Sequence, residues 1–320
     1  MDWDQILQAF RMPQRGYPAE AARAIFDDPL LYERTVEEFQ RISTLPQELE
    51  DSMFHLHVMH LLAEKRDSRA FRPLLNIASL TNDQLDTALG DFLTESFKRC
   101  VAAVCADETA IRAFIEDRRH SEWARLVLVE ALTLPVFAGD KEAKPLLAWL
   151  VDTGEKKLAW LEAQPDSINT DAETLVMDGL ADAVAEIGGP EHLQTLKRWW
   201  DTGWLDPQTA DWNWYETEIS RTWAERCDRF NRYHEPYVSD AIGEMQKWHC
   251  FSDRFHDEQS RPRPERQPDR HDSTTFVRAN PKIGRNDPCP CGSGKKQEVL
   301  RRLSRAQRAI NRARPAPAPG

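Results

Sequence analysis

The chain has 320 residues, 41% of them hydrophobic and 30% charged, with a formal net charge of −11. That is enough apolar material for one large domain or two smaller ones. The charge is uneven: the segment from Arg278 to the end carries +9 and leaves −20 on the rest, so the acidic body argues against nucleic acid or an anionic membrane as the main partner, and only the basic end could meet RNA.

Residues 1–252 read as helix after helix. Pro18 ahead of Ala19-Glu20-Ala21-Ala22 starts one helix. Between Leu49 and Lys65, Met53, Leu56, Met59, His60 and Ala63 fall on one stripe at helical spacing. Asp107 can cap a helix with Ile111, Phe114 and Ile115 on one face. Thr170-Asp171-Ala172-Glu173 fits a capping box, and Gly188-Gly189 followed by Pro190 stops that helix and begins the next. Period-2 alternation and β-branched runs are scarce, so no sheet is expected.

The helices repeat. Phe71-Arg72-Pro73-Leu74-Leu75, Ile111-Arg112-Ala113-Phe114-Ile115, Ala143-Lys144-Pro145-Leu146-Leu147 and His192-Leu193-Gln194-Thr195-Leu196 look like first helices of successive hairpins, with starts 40, 32 and 49 residues apart. The period is near that of HEAT-type repeats. The run 124–132 is apolar nearly all round, as suits a buried second helix. The fold class expected is an all-α, HEAT-like α-solenoid, with a compact helical bundle as the alternative.

Residues 1–252 also resemble a bacterial family known as domain of unknown function 1186. The resemblance rests on Ile6-Leu7, Tyr17-Pro18-Ala19-Glu20-Ala21, Gly90-Asp91-Phe92-Leu93-Thr94-Glu95 and the run 115–134. It implies a helical-repeat fold and brings no known activity or catalytic residues.

Three clusters in this body invite chemistry. His57, His60 and Glu64 could share a helix face with His55 nearby, but no second Glu-x-x-His completes a di-metal site, and a partly buried structural cluster is the simpler reading. Trp199, Trp200, Trp204, Trp212, Trp214, Trp223 and Trp248 crowd one region, either as core or as the lining of a ligand groove. Asp91 and Glu95 are paired acids without a placed nucleophile, and read as a solvated face or as helix-start acids.

Residues 253–280 are charged and Pro-rich, as in Arg261-Pro262-Arg263-Pro264, and are expected to form a disordered tether. Beyond it, residues 281–296 hold Cys289-Pro290-Cys291-Gly292-Ser293-Gly294. The prolines and glycines force a tight turn that lets the Cys289 and Cys291 thiolates face one ion, and thiolates suit Zn²⁺. A phosphate loop is excluded, because it would need Gly at 289 and Ser or Thr at 296. The segment resembles the first half of a SEC-C motif, the zinc module at the C-terminus of the SecA translocation motor. That family continues with an aromatic, two basic residues and Cys-Cys or Cys-His before Gly. Here the chain reads Gln297-Glu298-Val299-Leu300-Arg301, so the second ligand pair is missing and the zinc site is incomplete. Codons for these five residues, read one base later, permit Lys-Lys-Cys-Cys-Gly. A frameshift after Lys296 would make the tail 297–320 an out-of-frame extension, and a decayed motif with a genuine basic tail is the alternative.

The six Cys have no disulfide spacing, the opening Met1-Asp2-Trp3-Asp4 has no signal-peptide character, and the most apolar stretch, 123–137, is broken by Arg125 and Glu130. A reduced, cytoplasmic, non-membrane protein is expected. The expected function is a non-enzymatic scaffold or adaptor for a protein partner, with SecB or a ribosome-associated partner suggested by the SecA likeness alone. The alternative is an enzyme or small-ligand binder with a pocket in the Trp-rich repeats.

Overall fold

A computed structural model describes residues 1–165 and 168–260, and these are all-α, with no strand among them. The helices are α1 (Trp3–Arg11), α2 (Ala19–Asp27), α3 (Pro29–Ile42), α4 (Pro46–Glu50), α5 (Phe54–Glu64) and α6 (Phe71–Ala78). They continue with α7 (Asn82–Ala88), α8 (Lys98–Val104), α9 (Glu108–Glu116), α10 (Glu122–Phe137), α11 (Ala143–Glu162) and α12 (Asp171–Ile187). The last are α13 (Leu193–Asp201), α14 (Trp212–Ser220), α15 (Trp223–Tyr233), α16 (Ala241–Met245) and α17 (Asp253–Ser260). A π-helical turn, Leu93–Phe97, leads into α8.

The hairpins fall where the sequence spacing puts them. Helices α6, α9, α11 and α13 pair with α8, α10, α12 and α14, and α3 pairs with α5. The second helices then pack side by side in the order α5, α8, α10, α12, α14. Composition separates the two layers. Helix α9 buries only its Ile111, Phe114 and Ile115 stripe, whereas α10 is buried nearly all round, from Ala124 to Val136. Each fully buried Leu or Val in that inner row contributes roughly 1.5–3 kcal/mol of burial free energy. Glycine permits the closest approaches. A Cβ at Gly179 of α12 would lie 2.2 Å from Leu126 Cδ1, and one at Gly154 of α11 would lie 2.4 Å from the Trp199 ring.

Several local expectations change. The stripe from Leu49 to Lys65 is two helices, because the chain breaks at 51–53, where Met53 N–H donates to Arg11 O (2.9 Å). The Thr170 capping box does not form. Glu173 instead accepts from Arg125 (2.6 Å) and from Lys157, so a buried charged triad ties α10 and α11 to α12. Asp107 caps α9 as its position requires.

Residues 234–260 run back across the row, which a stack limited to nearest neighbours would not do. Val238, Ala241, Met245 and Phe251 are buried, and this apolar stripe gives the segment a reason to dock. Arg99 on α8 donates to Glu244 (2.6 Å) and to Tyr237 O (2.6 Å). Glu64 on α5 accepts from Ala241 N–H (2.9 Å), and Gly16 N–H donates to Phe251 O (2.9 Å). Pro135 sits inside α10 and its carbonyl accepts from Asp140 N–H (2.9 Å), which holds the Asp140 carboxylate where Tyr237 Oη donates to it (2.7 Å). Residues 253–260, where composition predicts the start of a tether, are the helix α17, anchored by Arg15 to Asp253 (2.8 Å) and Asp257 (2.7 Å). The physical reason is local: Asp253 to Ser260 carries no Pro, and the Pro-rich run begins only at Arg261-Pro262. The rest of the expected tether, residues 261–280, lies outside the described residues.

Candidate functional site

The sequence-predicted clusters separate in space. His55 Nε2 bonds the Ala88 carbonyl (2.7 Å), and His60 Nδ1 lies 3.3 Å from the Leu56 carbonyl. His57 stacks on Phe10 at 4.3 Å, and neither of its ring nitrogens has a hydrogen-bond partner among the described residues. Trp248 of the return segment closes over His60 at 5.1 Å. Burial drives all three imidazoles toward the neutral form, to about 4 at His55, about 3 at His57 and about 4 at His60. Glu64 turns away to Ala241 and is no fourth member. The histidines are core.

The tryptophans are mostly core as well. Trp199 is fully buried, and Trp200, Trp204, Trp212, Trp214 and Trp248 pack against the same apolar cluster. Trp223 is 40% exposed and stacks on Phe137 at 5.4 Å. Asp91 and Glu95 are exposed. Among the described residues no group of three or more His, Cys, Asp or Glu is placed to hold a metal ion. Cys289 and Cys291 lie outside the described residues.

The feature with chemical potential is a cleft of about 710 Å³ between α8, α10, α12 and the end of α15, partly roofed by the return segment. Its walls include Glu95, Lys98, Glu130, Asp182, Glu186 and Tyr233, and no tryptophan. Lys98 Nζ reaches Glu130 at 2.6 Å and Arg99 is committed to Glu244, while Arg232, the third cation of the wall, lies over the Tyr233 ring at 6.0 Å. Asp182 accepts from the buried Tyr215 hydroxyl (2.8 Å). The Glu186 carboxyl has no hydrogen-bond or ion-pair partner among the described residues. Water reaches Glu186 through the cleft mouth, but protein atoms crowd its carboxyl on the remaining sides. Burial, then Asp182 and Glu130, pushes that carboxyl up to about 8, against the pull of Lys98. Burial and Glu130 push Asp182 up to about 6, although Tyr215 stabilises its anion. One turn earlier, burial pushes Asp178 up to about 7, and its carboxylate accepts from Asp206 N–H (2.8 Å).

Sequence reading missed this site. Its signal is the pair Asp182 and Glu186, two acids four residues apart on a helix whose other residues are largely apolar, with Asp178 one step earlier but not on the cleft wall. Carboxyls on a buried face need a partner or a cavity. Glu95, read as a solvated acid, stands at the cleft wall.

The profile of the family described as "Protein of unknown function (DUF1186)" matches residues 1–252. The chain belongs to the DUF1186 family. A SEC-C motif follows at residues 285–296 in this DUF1186 chain, and the match ends at Lys296. An uncharacterized protein of Chlamydia trachomatis serovar D is 23% identical over 194 residues, 61% of this chain and 73% of the relative. Another from Chlamydia muridarum is 24% identical over 194 residues, with 61% and 74% covered. Protein translocase subunit SecA of Anaeromyxobacter is 55% identical over 40 residues, 12% of this chain and 4% of that protein. No solved structure matches. Among the described residues no helix is long and apolar enough to cross a membrane.

Proposed function

We propose that this DUF1186 chain is a cytoplasmic, non-enzymatic adaptor: a HEAT-like scaffold over residues 1–252 that binds a protein partner, a linker that begins after α17, and a SEC-C-type module at 281–296. The observation that supports this most is the pairing of a row of stacked helical hairpins with a SEC-C match downstream. Stacked hairpins offer extended surface, and the module adds a second, tethered contact. Zinc would engage Cys289 and Cys291, and two thiolates leave a tetrahedral ion half-coordinated. The SecA likeness of the tail makes SecB and ribosomes the first partners to test.

The test compares the chain with a variant in which residues 297–302 are replaced by Tyr-Lys-Lys-Cys-Cys-Gly. The restored chain should hold near-stoichiometric zinc and the parent far less, because complete structural sites reach about 10–16 kcal/mol of apparent binding energy. The restored chain should also bind SecB or ribosomes in a zinc-dependent way. Near-stoichiometric, Cys289-dependent zinc in the parent would contradict the incomplete site, and failure of the restored chain to hold zinc would contradict the SEC-C reading.

The cleft favours a second reading, that the scaffold binds a small ligand. A concave site with unpaired, perturbed carboxyls is the usual mark of one.

A further inference from the structure

We propose that the cleft between α10, α12 and the end of α15 binds a primary alkylammonium group, with Asp182 and Glu186 as its counter-ions. The inference names the ligand class for the ligand-binding reading and rests on that reading, not on the adaptor reading.

Three observations carry it. First, the charges of the cleft are unequally matched. Its wall carries six carboxyls, Glu95, Glu130, Asp182, Glu186, Glu235 and Glu244, against three cations, Lys98, Arg99 and Arg232; Lys98 and Arg99 already hold Glu130 and Glu244, whereas Asp182 and Glu186 have no ion-pair partner among the described residues. An anionic ligand would enter against this excess of carboxyls, and a cationic one would relieve it without breaking an ion pair. Second, Asp182 and Glu186 are four residues apart on α12, so their carboxyls flank one spot at about 5–6 Å between Cβ atoms. An ammonium carries three donors on a narrow stem and can meet both carboxyls from one position. The described residues provide no cluster suited to a metal ion. Third, the space fits: about 710 Å³ accepts a flexible chain of several carbons. Such an ammonium occurs on a free diamine or polyamine and on a lysine side chain.

Binding should be linked to protons. The groups that act on Glu186 are Asp182 on its own helix, Glu130 on α10, Lys98 on α8 and Glu218 on α14, with Glu95, Arg99, Arg232, His234, Glu235 and Glu244 also on the cleft wall. Near neutral pH Glu186 still holds its proton for much of the time, so a bound cation must displace it. Affinity therefore falls as pH drops below about 8 and proton release accompanies binding.

Titration calorimetry on the full chain at pH 8 tests this with cadaverine and spermidine as free amines, Nα-acetyl-lysine methylamide as the side-chain source, and 1,5-pentanediol and glutarate as neutral and anionic counterparts. The expected result is binding of at least one amine, weakened at least tenfold by Glu186→Gln and by Asp182→Asn, with a buffer-dependent enthalpy that reports proton release. Preference for the acetyl-lysine probe would assign a partner's side chain as the source, and preference for spermidine a free polyamine. Glu186→Gln removes a buried acid and should fold at least as well as the parent, so loss of binding cannot be misfolding. Binding of glutarate or pentanediol alone would overturn the ammonium assignment and leave the ligand-binding reading standing. No binding by any probe at millimolar concentration would overturn both. Amine binding unchanged in both variants would also overturn the proposal.

Discussion

The histidines of α5 and the carboxyls of α12 occupy comparable places: each group lies on a helix of the inner row, and each is dehydrated by its neighbours. The same cause, burial, lowers the bases and raises the acids, so both regions favour the neutral form. What differs is the space beside them. His57 is fully buried among the rings of Phe10, Tyr17, Trp248 and Phe251. Glu186 opens onto a cleft. A perturbed titration marks a site only where room remains for something to answer it.

The sharpest consequence is opposite pH dependence. A buried imidazole with a lowered value is neutral in the fold and protonated in the unfolded chain below about 6.5. Its stabilisation is therefore complete above that pH and is lost as pH falls from about 6.5 toward 3–4, on the order of 3 kcal/mol per ring. Chemical denaturation between pH 7 and 4 should show the loss, with fluorescence of Trp248 among the first signals to change. His57→Phe keeps the stack on Phe10 and removes the titration, so its acid midpoint should lie lower than the parent's. An acid midpoint unmoved by that substitution would break the comparison at the histidine end.

Next in size is the tie that holds both regions together. Arg99→Ala removes the bonds to Glu244 and Tyr237 O and leaves a half-buried acid unpaired, at a cost of about 2–3 kcal/mol. Hydrogen exchange of residues 234–251 should accelerate well before that of α10 or α12. Uniform acceleration across all helices would mean that the segment is not a separable strap.

The smallest effect has the opposite sign. Glu186 and Asp182 have raised values, so their contribution is present below about 4 and is lost as pH rises through about 6–8. Glu186→Gln should therefore stabilise the chain at pH 8 by about 1–2 kcal/mol, after discounting for water in the cleft, and should change little at pH 4. Destabilisation at pH 8 would show that the carboxylate has a partner and is not waiting for one.

Much of the fold is legible in the sequence because hairpin spacing, caps and apolar periodicity are local. Asp107 caps α9, Gly188 follows the last residue of α12, and the four first-helix motifs fall on or at the starts of α6, α9, α11 and α13. The return segment is less legible, because its partners Arg15, Glu64 and Arg99 lie more than a hundred residues away in sequence. The Thr170 capping box fails for the same reason: a distant Arg125 and Lys157 compete for Glu173 and win. The cleft was only half legible. The four-residue spacing of Asp178, Asp182 and Glu186 is visible, but whether such acids meet cations, as Glu173 does, or open space, as Glu186 does, depends on which helices pack beside them.

Burial, with Asp182 and Glu130 nearby, holds the Glu186 carboxyl largely uncharged near neutral pH. Carbon-13 carboxyl NMR, with Glu186 assigned by comparison with Glu186→Gln, measures this directly. The predicted titration midpoint is near 8 in the free chain, and saturating spermidine should move it down toward the ordinary carboxylate range. A midpoint near 4.5 in the free chain, unchanged by spermidine, would contradict the claim.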